Sequence, residues 1–346
     1  MDTDTGHRGP RVTSVLRGLR APGIAPWAHL YEPPAPSLPG APRAVFLGVS
    51  TLLLDDGETA ILTDGFFSRP GLLRMRFGRL RPDPARVAAG LRRGGIDRLD
   101  AVFVVHSHYD HALDSPQVAA ATGARLIGSP STRNIARGQG FPDDRFQLAA
   151  TGEPFAVGAF TLTALPARHS PGDLAPGRID RPLRPPARAT DYRTGDCYTL
   201  HVSHGARELL IHASAHTLPG ALDGHRAETV YLGIGALGHQ SEAFREEYWH
   251  RLVTGTGARR VVPIHWDDFF RPLDRPLRPF RAFLDDFPAT MDFLTRAADR
   301  TGVRLALPTL GVRTDPWPAD AAPDTVSRAG RHAGRAGDRD GTGRVR

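Results

Sequence analysis

The segment His106-Ser107-His108-Tyr109-Asp110-His111 constrains this chain more than any other. It follows directly on Leu99-Asp100-Ala101-Val102-Phe103-Val104-Val105, an apolar run of strand length, and leads into Asp114-Ser115-Pro116, where a helix starts with Ser115 as its cap. Ligating side chains at the end of a buried strand call for a sheet covered on both faces, with the site at the strand ends. On an extended chain residues i and i+2 point the same way, so His106 and His108 can share one cation. Asp110 and His111 come where the chain turns toward the helix and can face a second cation beside the first.

Such cations would be held by imidazole and carboxylate. The chain has a single cysteine, Cys197, which excludes an internal disulfide and a thiolate cage and reads as a small strand residue. Two more of the 15 histidines stand where a strand hands over to a loop: His169 after Thr161-Leu162-Thr163-Ala164-Leu165, and His265 after Val261-Val262-Pro263-Ile264. His106, His108 and His169 then make one three-ligand set; Asp110, His111 and His265 make another. One or two zinc ions per chain are the expected cofactor, and manganese or iron take the same ligands. His201 and His204, near a predicted hairpin turn at His204-Gly205, read as structural or surface residues.

Strands and capped helices surround these positions. The stretch 44–65 reads as a hairpin of two buried strands turning at Asp56-Gly57. Asp83-Pro84 opens a helix that stops at Gly94-Gly95. The segments 146–151, 158–167, 197–203 and 206–214 read as antiparallel strands; beyond them strands and helices alternate. Residues 1–42 are Pro-rich and read as an arm or linker, 43–312 as one catalytic domain, and 313–346 as a disordered tail. The net charge of +7 suggests an anionic partner, yet all 44 basic residues are Arg, which points to compositional bias rather than a selected basic patch. Nucleic acid is therefore not an expected partner. No run approaches the roughly 18 apolar residues of a membrane span, and no secretory signal is evident, so a cytoplasmic location is expected.

The stretch Phe46–Gly65, the histidine motif, Pro166-Ala167-Arg168-His169-Ser170 and Ile264-His265-Trp266-Asp267-Asp268-Phe269 together resemble the metallo-β-lactamase fold superfamily. Within it they are similar to the branch of L-ascorbate-6-phosphate lactonase and N-acyl-phosphatidylethanolamine phospholipase D. The resemblance spans about residues 43–312 and implies an α/β fold: a four-layer αβ/βα sandwich of two mixed sheets flanked by helices, with a metal pair at one edge. It implies that Asp64 orients a ligand histidine from behind. Two departures stand out. Val49 occupies a position where the branch usually has His, and Ser214 stands where the superfamily places an aspartate bridging the metals. Without that charge two cations repel more, so the second would bind more weakly. His216, two residues on, could substitute, although a loop histidine is the default reading.

The implied activity is hydrolysis of an ester, lactone or phosphodiester by a zinc-activated water, with Asp110 orienting the nucleophile. The alternative is a non-catalytic or weakly active metal-binding protein on the same fold, motivated by Ser214. Two segments are expected to frame the cleft. Residues 66–82 mix Phe66, Phe67, Leu72, Leu73, Met75 and Phe77 with Arg69, Arg74, Arg76 and Arg79; residues 171–194 carry Arg178, Arg181, Arg184, Arg188 and Arg193. Apolar and guanidinium groups together suit a small or lipid-like anionic substrate and are compatible with peripheral membrane contact.

Overall fold

The computed structural model describes residues 21–35 and 40–317. Strands β1 (Arg43–Phe46), β2 (Leu52–Asp55), β3 (Ala60–Thr63), β4 (Ala101–Phe103), β5 (Arg125–Gly128), β6 (Phe146–Leu148) and β14 (Arg313–Thr314) form one sheet in the order β14-β1-β2-β3-β4-β5-β6. Strands β7 (Pro154–Val157), β8 (Phe160–Ala167), β9 (Cys197–His204), β10 (Arg207–His212), β11 (Thr229–Gly233), β12 (Arg260–Ile264) and β13 (Arg304–Leu305) form the other in the order β13-β12-β11-β10-β9-β8-β7. Both sheets are mixed: β3 pairs antiparallel with β2 and parallel with β4, and β10 pairs antiparallel with β9 and parallel with β11.

Side-chain alternation explains the layers. Along the β4 run Ala101, Phe103 and Val105 meet Leu162, Leu200 and Ile211 of the second sheet, while Val102 and Val104 face outward. There the outer residues pack under helices α2 (Pro84–Gly94), α4 (Ser115–Thr122) and α5 (Pro130–Gly138), through Val87, Leu91, Val118 and Ile135. The second sheet is covered in the same way by α6 (Glu242–Trp249) and α7 (Phe287–Thr301), through Tyr248, Trp249, Met291 and Leu294. A strand buried on both faces carries an unbroken apolar run, which is why the 101–105 segment has no polar alternation. The architecture is the expected four-layer αβ/βα sandwich. Two short helices complete it, α1 (Leu72–Phe77) and α3 (Tyr109–Ala112). Among the described residues no helix is long and apolar enough to cross a membrane.

Several local readings change. The stretch 44–65 holds three strands rather than two, because the chain turns at Gly48 (φ 93°) and Val49 (φ 52°). A β-branched residue in that backbone region conceals a turn. β6, expected to be antiparallel, pairs parallel with β5 in the first sheet. Ser115 is not the cap of α4: its hydroxyl donates to Asp64 O and His111 O. The residue before α4 is Asp114, whose carboxylate instead accepts from the backbone of Phe67 and Ser68. Helix α5, opened by Ser129 Oγ accepting from Thr132 N, has no counterpart in the sequence reading.

The packed body also exceeds the expected 43–312 at both ends. Glu32 pairs with Arg260 at 3.0 Å, both nearly buried, and Trp27 packs edge-on against Phe287. Residues 313–314, assigned by sequence to the tail, form β14 against β1, and Trp317 is buried. The rest of that tail, 318–346, and residues 1–20 of the arm lie outside the described residues.

Candidate metal centre

The loops at the ends of strands from both sheets converge on one point. Val105 N donates to Asp64 Oδ1, and Ser107 N donates to Thr194 O, so the chain after β4 stays extended through His108. His106 and His108 therefore point to the same side, with ring centroids 5.0 Å apart. α3 begins immediately afterwards and turns Asp110 and His111 to a second position. His169 arrives two residues after β8, and His265 directly after β12.

The structure brings the six residues together as two groups, His106–His108–His169 and Asp110–His111–His265, each with its potential donor atoms within 4.8 Å of one another. In the second group the triangle is tighter. His265 Nε2 lies 3.3 Å from His111 Nε2 and 3.3 Å from Asp110 Oδ2, and His111 Nε2 lies 3.5 Å from Asp110 Oδ2. Donors on one tetrahedral zinc at its usual bond lengths stand about 3.3–3.4 Å apart. In the first group both ring nitrogens of His106 are buried without a hydrogen-bond partner. The donor sets therefore fit a pair of cations such as zinc.

The outer nitrogens are spoken for. His111 Nδ1 donates to Asp64 Oδ2 at 2.8 Å, and Ser50 Oγ lies 2.9 Å from the same nitrogen. That contact gives the fully buried Asp64 the place behind a ligand histidine that the resemblance implies. His108 Nε2 faces Thr194 Oγ1 at 3.1 Å and Asp173 Oδ1 at 3.3 Å, which leaves Nδ1 for the centre. His169 Nδ1 faces Ser170 O at 3.0 Å, which leaves Nε2. Asp173 escaped the sequence reading; its signal was an acid four residues past His169 in a Pro-Gly turn.

Electrostatics suits His106 and His169 to donate. Burial, joined by the other histidines, pushes His106 well below the ordinary imidazole value, and burial brings His169 down to about 4. Their lone pairs are free at neutral pH. Burial alone would raise Asp110, but His111 and His265 outweigh it and hold the carboxyl below the usual range. Burial would lower His111, yet Asp110 and Asp64 raise it.

Backbone strain concentrates here. Val49, Asp64 and His265 all have left-handed backbone (φ 52°, 56° and 58°), a conformation that costs a non-glycine residue about 1–3 kcal/mol. Gly235 permits a close approach: a Cβ there would stand 3.1 Å from both Nδ1 and O of His265.

Ser214 faces the same cavity as His108, Asp110, His169 and His265, so the centre has a hydroxyl where the resemblance implies a carboxylate. His216 does not replace it. Its Nδ1 accepts from Thr217 N at 2.8 Å, its ring packs on Phe244, and it belongs to neither donor group. His212 is buried and bound to Thr199 Oγ1 and His216 O. His201 faces Arg226 O, and His204 faces Asp56, which agrees with structural roles. Cys197 opens β9, and burial pushes its thiol up to about 12.

The cavity measures about 360 Å³ and is walled mainly by apolar side chains. Leu72 and Met75 come from the 66–82 segment, and Leu174, Ala175 and Ala189 from the 171–194 segment, as expected. A third wall, Phe269, Phe270, Phe280, Leu284 and Asp285, was not foreseen. Phe66 and Phe67 lie in the core instead. The expected arginines of the two framing segments do not line it: among the described residues of this cavity's wall none is an arginine, and Arg168 lines an adjoining cavity beside His169 instead. Arg69 is fully buried against Asp267, and Arg178 pairs with Asp196 at the surface.

Comparison with known proteins agrees with this picture. Residues 59–266 match the family model described as the β-lactamase superfamily domain. An uncharacterised protein of Mycobacterium tuberculosis, Rv0906, is 28% identical over 288 residues, covering 78% of this chain and 68% of that protein. A UPF0173 metal-dependent hydrolase of Rhizobium leguminosarum is 25% identical over 141 residues, 41% of this chain and 53% of the other. Among solved structures, the metallo hydrolase Igni18 of Ignicoccus hospitalis superposes with a TM-score of 0.50 at 14% identity, over 79% of this chain and 97% of that one. CmlA, a diiron β-hydroxylase from Streptomyces venezuelae, superposes with a TM-score of 0.50 at 17% identity, over 81% and 54%. These likenesses are of fold. The family model covers over half of the chain and runs from β3 through the whole histidine motif to His265, and on that match this protein belongs to the β-lactamase superfamily.

Proposed function

We propose that the protein hydrolyses an ester, lactone or phosphodiester of an amphipathic anion, with zinc held by His106, His108 and His169 and by Asp110, His111 and His265. The observation that carries this reading is the 3.3–3.5 Å donor triangle of the second group at the floor of an apolar cavity. Zinc bound there supplies a Lewis acid and a water whose pKa falls to about 7. The chain's own residues do the rest. Asp110, facing the cavity beside His265, orients the attacking water by accepting its hydrogen bond. Asp64 and Asp173 fix which imidazole nitrogens face inward. The apolar walls exclude water and take the uncharged part of the substrate, leaving the anionic head to the centre.

The rim extends the apolar surface outward. Leu73 is 76% exposed, Phe77 79% and Leu174 92%, and Phe283 is also exposed. Arg74 and Arg76 share α1 with the first two. Such a rim suits peripheral contact with an anionic bilayer from which an amphipathic substrate enters.

The test is hydrolysis of p-nitrophenyl octanoate and bis(p-nitrophenyl) phosphate by zinc-loaded protein. Activity on at least one is expected, abolished by chelator and in His108→Ala, with octanoate preferred over acetate among the esters. Activity that survives both treatments would overturn the metal-dependent reading. Cosedimentation with phosphatidylglycerol vesicles, lost in Leu73→Ser/Phe77→Ser, tests the rim; no binding by the wild type would refute it.

A further inference from the structure

Behind the second donor group lies an ion pair shielded from solvent. Arg69 Nη2 contacts Asp267 Oδ2, and both side chains are 0% exposed. Nε and Nη1 of Arg69 are buried without a partner. Such a pair is a poor source of stability, since desolvating two charges offsets most of their attraction and an apolar replacement is often neutral. Its connections suggest what it is for.

The other oxygen of Asp267 accepts from Val49 N at 2.8 Å. Val49 O in turn accepts from His265 N at 2.6 Å. The next residue, Ser50, reaches His111 Nδ1 at 2.9 Å and donates to Asp64. One carboxylate thus stands at the junction of two branches, one ending on the backbone of His265 and the other on the ring of His111. Three residues of this junction, Val49, Arg69 and His265, have left-handed backbone that needs an external hold. The cradle is tight: a Cβ on Gly48 would stand 2.8 Å from Arg69 Nη1 and 3.3 Å from Asp267 Oδ2.

We infer that Arg69 and Asp267 are positioning residues for the Asp110–His111–His265 group, and that they set the affinity of its cation while leaving the His106–His108–His169 group unaffected. The inference rests on the metal-centre reading above. It explains how a centre with Ser214 in place of a carboxylate can keep a second cation: rigid donors compensate in part for the missing charge.

The test is zinc titration of metal-free protein against a competing chelator, for the wild type, Asp267→Asn and the double variant Arg69→Met/Asp267→Leu. The double variant leaves no unpaired buried charge and so keeps the test valid if Asp267→Asn fails to fold. His265→Ala identifies which of two binding steps belongs to the second group. The double variant is expected to bind the first zinc as the wild type does and the second about 10–100-fold more weakly. The absorption bands of cobalt at the second position should shift as well. Unchanged affinity for the second ion, or equal weakening of both ions, would overturn the inference. A wild type that binds no zinc would instead overturn the metal-centre reading, and this inference with it.

Discussion

Asp285 offers a sharp test of the cavity's electrostatics. It lies in the apolar wall beside Phe270, Phe280 and Leu284, is 3% exposed, and has one carboxyl oxygen without a partner. Burial, with Asp286 adding to it, pushes its pKa up to about 7 against the lowering effect of the Ala236 N–H. Between about pH 4 and 7 the native state then holds a proton that the unfolded state has released. Stability must fall as pH rises through that window, by about 1.4 kcal/mol per pH unit and at most about 4 kcal/mol in total, and level off above it. Asp285→Asn keeps the shape and removes the titration. Urea unfolding of both proteins from pH 4 to 8 should show the wild type losing ground steadily against the variant as pH rises. A difference that is flat with pH, or a wild type that gains relative stability toward pH 8, would refute the reasoning.

Three more outcomes follow from the contacts. In Asp64→Asn an amide N–H would face His111 Nδ1, driving the ring proton toward Nε2; zinc affinity at the second position should drop about 10–100-fold in a chelator competition. Asp173→Ala removes the carboxylate facing His108 Nε2 and should weaken the first zinc by about tenfold or more in the same titration. His216→Ala should leave zinc content unchanged, because that ring stands outside both donor groups, and a lost ion would show otherwise.

That the six candidate donors converge was legible because strand geometry is local. Alternation puts His106 and His108 on one side, a turn redirects Asp110 and His111, and strand ends mark His169 and His265. The convergence of positions as far apart as 106, 169 and 265 came from the pattern of whole strands, which also carried the fold. What escaped was of another kind. Arg69 looked like any of the many arginines, and nothing nearby in the chain announces its partner 198 residues away. The turn at Val49 was hidden by a residue type that favours strands, since its backbone is held by Asp267 and His265 rather than by its own preference. Neither Ser115 nor Asp114 caps α4 with its side chain, because Ser115 turns to the carbonyls of Asp64 and His111 and tertiary donors at Phe67 and Ser68 take the Asp114 carboxylate. The aromatic wall at 269–280 has no periodicity to betray it.

Counting zinc distinguishes two cations held by the two donor groups from one or none. Elemental mass spectrometry on zinc-loaded, gel-filtered protein should find two ions per chain in the wild type, one in His265→Ala and one in His106→Ala. No zinc in the wild type after loading, or a content that neither substitution changes, would rule out a metal pair at these residues.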